Sequence, residues 1–269
     1  MKYILTGSHG FIGQNLGKSL LLDNNIVKTI PRDLLTEEWN LKSYLESEQP
    51  DVIIHLAAYG NHSQQQNFLE TISSNILTTS ILLNASKDID YKAFINISTS
   101  SVNLPVQTFY SASKRSVELI CESFVQKYNK NIVTVRPYSV YGPQEADFRF
   151  IPTVIRSINS GTEFSLVPHV KHDWIFIDDF IQGIKLVIPV AEKLKGKSVD
   201  IGTGKSYTNL EIVKLLEKIS KDKAIYTLVD KMRDYDTTDW VANTAVIEYL
   251  GFKQEYTLFD GLSETYEHY

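Results

Sequence analysis

The 269 residues, 43% hydrophobic and 22% charged, have the balance of an ordinary globular chain with room for one large α/β domain or two smaller ones. A formal net charge of −5 without a Lys/Arg cluster argues against a nucleic-acid partner, and no apolar run is long enough for a membrane span, so neither is expected. The single cysteine, Cys121, excludes a disulfide framework and a cysteine-rich metal site; the chain opens directly on a strand, so no signal peptide is expected and the expected location is the cytoplasm.

In chain order, Lys2-Tyr-Ile-Leu-Thr6 reads as a short buried strand. It runs into Thr6-Gly7-Ser8-His9-Gly10-Phe11-Ile12-Gly13 and then a helix to about Asn24. A strand, a glycine-rich turn and a helix start together make a site for a diphosphate. Gly7 allows the tight turn, Gly10 lets backbone approach the phosphates, and Gly13 lets the helix pack closely. The free N–H groups and positive dipole end of the helix face the anion. The spacing is G-x-x-G-x-x-G, not G-x-G-x-x-G. Ile26 to Ile30 is the second strand, followed by Pro31-Arg32-Asp33. An acidic residue at this point takes the ribose hydroxyls of NAD. Arg32 suits the 2′-phosphate of NADP, while Asp33 keeps NAD possible.

Thr36 to Glu48 reads as a helix with Trp39 and Tyr44 as packing residues, closed by Gln49-Pro50. Asp51 to Ala58 is a buried strand; its unbroken apolar character is that of a parallel strand covered on both faces. It ends in Leu56, Ala57 and Ala58, small enough at the end to leave space for a ligand, and His55 within it reads as a satisfied core histidine. Asn67 to Lys87 is a long helix with Phe68, Ile72, Ile76 and Leu83 on one side and Asn75 flanked by apolar residues. Phe94 to Ser98 is the next buried strand. It delivers Ser98-Thr99-Ser100-Ser101 to its carboxyl end, where open α/β sheets hold ligands. Tyr110-Ser-Ala-Ser-Lys114 opens a helix that continues through Val117, Ile120, Phe124 and Tyr128, with Cys121 as a small buried hydrophobe. Asn131 to Pro137 is a strand, broken after Tyr141-Gly-Pro-Gln. Ile151 to Ser160 is a helix. Asp173 to Asp179 leads into a helix to about Lys195, and Ser198 to Gly204 is a strand and turn. Asn209 to Ser220 is an amphipathic helix, and Ala242 to Leu250 is a last substantial helix closed by Gly251. Strands alternating with helices predict a parallel sheet with helices on both sides.

Tyr110 and Lys114 are four apart on one helix and share a face. A phenol of pKa about 10 that exchanges a proton near neutrality needs a shift of roughly three units, or about 4 kcal/mol. One ammonium at about 4 Å, with an effective dielectric near 20, supplies roughly that much. Thr99 can share the hydrogen bond to the substrate oxygen.

This combination resembles the extended short-chain dehydrogenases/reductases, the NAD-dependent epimerase/dehydratase family acting on nucleotide sugars. Thr6-Gly7-x-x-Gly10-Phe11-Ile12-Gly13 is similar to its nucleotide turn. Pro50 to Ala58 looks like its fourth strand, and Asn75 like the asparagine of the helix after it. Tyr110 and Lys114 look like its catalytic pair. Arg136-Pro137-Tyr-Ser139-Val-Tyr-Gly-Pro143 resembles the segment running past the nicotinamide into the sugar site. Asp173 to Asp179 and Ile201-Gly-Thr-Gly204 resemble later signatures. Arg233 and Asp236 resemble the residues that hold the substrate's diphosphate and ribose.

The resemblance implies a Rossmann-type doubly wound parallel sheet with a smaller mixed α/β substrate domain. Residues 1–140 with about 171–195 would bind the dinucleotide, and about 141–170 with 196–269 the nucleotide sugar. It implies Thr99, Tyr110 and Lys114 as catalytic residues. Gly7, Gly10, Phe11, Ile12, Gly13, Arg32, Leu56, Ala57, Ala58, Tyr110, Lys114 and Pro137 would bind the cofactor, NADP or else NAD. Ser100, Ser139, Arg149, Arg233 and Asp236 would bind substrate. Departures narrow the activity. Ser100-Ser101 stand where 4,6-dehydratases carry Asp-Glu, and the cysteine and histidine of GDP-fucose synthases are absent. Pro31 stands where UDP-galactose-type epimerases have their acidic residue. The expected reaction is therefore NADPH-dependent reduction of a 4-keto-6-deoxy sugar nucleotide. The alternatives are an NAD-dependent 4-epimerase and a non-catalytic dinucleotide-binding subunit. Further departures are a short stretch between Thr99 and Tyr110, Ser139 in place of an asparagine, and His172 in place of an arginine, for which Lys171 or Arg149 could compensate. A homodimer through the helices Asn67–Lys87 and Tyr110–Tyr128 is expected.

Overall fold

Unbroken apolar runs form the central strands. The computed structural model of the chain describes residues 1–62, 64–230 and 240–269. Two units emerge: Met1–Arg136 with Gly183–Val199, and Pro137–Gln182 with Asp200–Tyr269.

The first unit is built on β1 (Lys2–Thr6), β2 (Ile26–Thr29), β3 (Val52–His55), β4 (Ala93–Ile97) and β5 (Ile132–Pro137). The sheet has six strands in the order Ser198–Ile201, β5, β4, β3, β1, β2. β2–β1, β1–β3, β3–β4 and β4–β5 all pair in parallel. Every residue of β3 and β4 is buried, as strands covered on both faces must be, whereas β2 at the edge alternates. The chain steps outward from β1 to β2 and then crosses back to β3. Winding therefore reverses at β1/β3, and the carboxyl ends there are where such sheets take ligands. Ile4, Ile53, Phe94 and Ile132 pack under Leu41, Leu45, Leu82, Leu83, Val117 and Cys121. Those six come from α2 (Glu38–Glu48), α4 (Thr78–Ser86) and α5 (Phe109–Tyr128). α1 (Phe11–Leu22) follows the glycine turn, and α3 (Phe68–Thr71) passes through a π-helical stretch, Ile72–Leu77, into α4.

The second unit is mixed. Ser139–Tyr141 pairs in parallel with Trp174–Phe176, Phe164–Leu166 with Tyr226–Leu228, and Lys171–His172 pairs antiparallel with Tyr207–Thr208. Around these lie the helices Phe150–Ser160, Asn209–Ser220, Ala245–Tyr249 and Leu258–His268. The fully buried Asp173 carboxylate clamps the unit: it accepts the N–H groups of Thr203 (2.7 Å), Gly204 (2.9 Å) and Ala242 (3.0 Å). Among the described residues no helix is long and apolar enough to cross a membrane.

Several expectations are corrected. The helix expected over Thr36–Glu48 is a 3-10 turn, Asp33–Thr36, and then α2; Trp39 is 80% exposed, while Leu41 and Leu45 do the packing. In the first half of the Phe68–Ser86 run the buried side is Thr71, Asn75 and Thr79 and Phe68 is half exposed, because Asn75 and Thr79 find polar partners elsewhere in the fold; in the second half Leu82 and Leu83 are fully buried. The helix expected to Lys195 stops at Val187, since Pro189 has no N–H to continue it; a 3-10 turn and the short Ala191–Leu194 helix follow. The Ala242–Leu250 helix shrinks to Ala245–Tyr249, the Ala242 N–H being held by Asp173. The last substantial helix is instead Leu258–His268.

Candidate active site

The turn between β1 and α1 is closed by Gly10 N–H donating to the Gly7 carbonyl at 3.1 Å. Gly7 has φ +67°, and a Cβ there would lie 2.6 Å from the Ala57 nitrogen; a Cβ on Gly13 would lie 2.4 Å from the Gly7 oxygen. Only glycine fits at either position. Gly10 is the N-cap of α1 and offers no side-chain acceptor, so the N–H groups of the first turn, at Phe11 and Ile12, are available to an anion. The half-buried Leu56 and Ala57 follow β3, with their N–H groups held by Thr6 Oγ1 at 3.1 Å; Ala58 beyond them is exposed. Arg32 reaches into solvent after β2, its side chain 88% exposed and 3.8 Å from Glu70. These features fit a dinucleotide: a cradle that a Cβ would fill and an uncapped helix start.

The chemical groups stand at the ends of β4 and the start of α5. Thr99 caps the 3-10 turn Ser100–Asn103: its hydroxyl accepts the Ser101 N–H at 3.2 Å and lies 2.9 Å from Ser101 Oγ. Ser100 is buried. The short connection onward is stapled by Gln107, whose amide donates to the Leu104 carbonyl at 2.5 Å. A reciprocal capping box of Thr108 and Ser111 then fixes the start of α5, which places Tyr110 in its first turn. Lys114, one turn on, is 1% exposed, and burial pushes its ammonium down to about 8, against the smaller upward pull of Cys121 and Glu118. Glu118 is itself held bidentately by Arg136 at 2.9 and 2.6 Å.

Residues not singled out as site residues complete this region. Gly60, φ +99°, presents its Cα face to the Tyr110 ring, where a Cβ would come within 3.4 Å of Tyr110 Cβ. The Asn75 side chain accepts the Tyr59 N–H and donates to the Tyr59 carbonyl and to Ser113 Oγ, each at 2.8 Å. No periodicity marks Gly60 or Ser113, since their roles depend on partners distant in sequence.

In the second unit, Pro137 is half-buried, and Ser139 donates its N–H to the Asp173 carbonyl at 2.9 Å. Arg149 is the N-cap of Phe150–Ser160, its guanidinium over the Phe148 ring. The Glu145 carboxyl has a buried oxygen without a hydrogen-bond partner, and burial raises it to about 8 against the pull of Arg149. His172 lies between the rings of Trp174 (5.3 Å) and Trp240 (5.2 Å). Arg233 and Asp236 lie outside the described residues.

The sequence pattern of the NAD dependent epimerase/dehydratase family matches residues 3–202. A Bacillus subtilis (strain 168) protein named as the uncharacterized UDP-glucose epimerase YtcB is 27% identical, over 98% of this chain and 96% of that protein. CDP-abequose synthase of Salmonella muenchen is 25% identical over 98% of this chain and 96% of its own. The crystal structure of UDP-glucuronic acid 4-epimerase from Bacillus cereus, in complex with UDP-glucuronic acid and NAD, superposes with a TM-score of 0.87. It is 25% identical and covers 100% of this chain and 98% of its own.

Proposed function

The chain belongs to the NAD-dependent epimerase/dehydratase family, and we propose that it is a nucleotide-sugar oxidoreductase that reduces a 4-keto-6-deoxy sugar at C4 with NADPH. The observation that carries this reading is a half-buried tyrosine one helical turn from a wholly buried lysine with a lowered pKa, behind a strand-end threonine. When bound, the dinucleotide supplies the hydride. Tyr110 donates its phenolic proton to the C4 oxygen. The Lys114 ammonium stabilises the phenolate left behind and holds the nicotinamide ribose, and Thr99, supported by Ser101, orients the carbonyl. The turn Gly7–Gly13, with Leu56, Ala57, Ala58 and Pro137, holds the cofactor, and Arg32 takes the 2′-phosphate. Ser100, Ser139 and Arg149 are proposed for the substrate, and Arg233 and Asp236, outside the described residues, are proposed from the family resemblance alone. Ser100-Ser101 offer no acid–base pair for dehydration, which speaks against a 4,6-dehydratase.

A 4-epimerase with tightly held NAD is the second reading, favoured by the likeness to the NAD-bound 4-epimerase. The same three residues would then first oxidise and afterwards reduce C4. A second copy of this chain is the proposed partner: Phe68, Leu69, Leu77, Phe109 and Leu119 are all at least 48% exposed along the two helical runs that would pair.

The test is a titration of purified protein with NADPH and NADH, together with identification of any dinucleotide already bound. A preference for NADPH of about tenfold or more, about 1.4 kcal/mol, that collapses in Arg32→Ala supports the reductase. Retained NAD without that preference refutes it and puts the epimerase first.

A further inference from the structure

We infer that His55 is a positioning residue: fixed as one tautomer in a buried hydrogen-bond chain, it couples the cofactor end of the sheet to the segment that seats Tyr110. The hydride-transfer reading enters only in naming what lies at the two ends.

His55 is completely buried on β3, directly beside Thr6 of β1 in the strand register. Thr6 Oγ1 accepts the N–H groups of Leu56 and Ala57, so its own proton is left for His55 Nδ1, at 2.7 Å. Nδ1 is therefore the acceptor of the ring. On the other side Nε2 lies 2.8 Å from Thr79 Oγ1, and Thr79 donates its proton to the Asn75 carbonyl at 2.6 Å. Nε2 must then carry the ring proton. The two ends, counted separately, demand the same Nε2–H tautomer. An imidazolium would leave the Thr6 hydroxyl proton without an acceptor. Burial and then the Lys114 charge push this imidazole down to about 3, so it stays neutral near neutrality.

The path continues beyond Asn75. The π-helical stretch turns that side chain onto Tyr59 and Ser113, and Ser113 Oγ donates to the Tyr110 carbonyl at 2.7 Å. Tyr59 leads into Gly60, which abuts the Tyr110 ring. Residues 56–57, at the cofactor cradle, thus connect through paired donors and acceptors to two supports of Tyr110. A buried network with its hydrogen bonds satisfied has few alternative arrangements, so a shift at one end is transmitted to the other.

Hydrogen–deuterium exchange with NADPH, and separately with NAD, tests the coupling in wild type, Thr79→Val and Thr79→Ser. In wild type, cofactor is expected to protect residues 7–14 together with 59–60 and 110–114. Thr79→Val is expected to keep the first and lose the second, its exchange there rising about fivefold or more, while Thr79→Ser restores it. Unchanged protection of all segments in Thr79→Val, or equal loss in all of them, overturns the inference. The tautomer is read independently of any variant or cofactor, from long-range 15N–1H correlations of labelled histidine in the free protein between pH 6 and 8. A non-titrating Nε2–H ring is expected at His55, and a protonated Nδ1 or a titrating ring overturns the inference. If neither dinucleotide binds, the oxidoreductase reading fails, and the tautomer spectrum still decides on His55.

Discussion

Replacing Lys114 by methionine is expected to stabilise the protein at neutral pH while disabling the site. Lys114 is 1% exposed, and its ammonium falls from 10.5 to about 8, chiefly through lost hydration. That difference of about 2.5 units, at roughly 1.36 kcal/mol each, is about 3 kcal/mol of stability forgone by keeping a charge there. The folded-state value lies below the unfolded one, so between pH 8 and 10.5 the unfolded chain binds more protons and stability rises with pH. The penalty is present in full below pH 8 and is gone above 10.5. Methionine has a similar length and no charge to desolvate. Its removal of the ammonium leaves Glu118 held by Arg136. Urea unfolding of the cofactor-free protein at pH 7, 8, 9 and 10 measures the difference. The variant is expected to lead by about 3 kcal/mol at pH 7, a rise in Tm of about 6–12 °C, with the lead shrinking steadily toward pH 10. A variant less stable at pH 7, or a lead that does not change with pH, would refute the burial argument.

Tyr110→Phe is expected to lower turnover about 10²–10⁴-fold with cofactor affinity within about twofold, measured on whichever sugar nucleotide the wild type converts; unchanged turnover would remove Tyr110 from the chemistry. Gly13→Ala places a methyl 2.4 Å from the Gly7 oxygen and 2.7 Å from Ser8 Cα, so the helix start must shift; dinucleotide affinity measured by fluorescence should fall about tenfold or more. Leu119→Asp introduces a charge on an exposed apolar face of α5, and size-exclusion with light scattering should show a dimer for the wild type and a monomer for the variant.

The sheet and the nucleotide turn were legible because their signals are local. Ile53-Ile54 and Phe94-Ile95 are apolar without alternation, and Gly7, Gly10 and Gly13 lie within seven positions. The same holds for Tyr110 and Lys114, one turn apart behind a capping box. Leu258–His268 carried a readable start too, since Thr257 accepts the Asp260 N–H three residues on. Gly261 inside it lowers helix propensity and masks the pattern. The glycine is there for packing: a Cβ would meet the Tyr141 hydroxyl at under 2.5 Å. Trp39 misled in the opposite sense, as a large apolar side chain that the fold leaves in solvent.

The first half of the Phe68–Ser86 run departs from its apolar pattern for a deeper reason. Apolar periodicity puts Phe68, Ile72, Ile76 and Leu83 on one side, and Leu83 is fully buried, yet in the first half of the run Thr71, Asn75 and Thr79 are the residues with 1% exposure. Burying those three is tolerable only because each finds partners. Thr79 meets His55, 24 positions away, and Asn75 meets Ser113, 38 positions away, while His55 meets Thr6 across 49. A donor or acceptor left unpaired in that layer costs about 1–3 kcal/mol, so removing one member strands the next. A network of this kind leaves no local trace in composition or period. Its consequence is that the first turn of α5 is supported by a polar layer through Ser113 and Asn75, alongside the apolar contacts that Val117 and Cys121 make further along the helix. The same inversion turns Phe68, Leu69 and Leu77 outward, the face proposed above for a second copy of the chain.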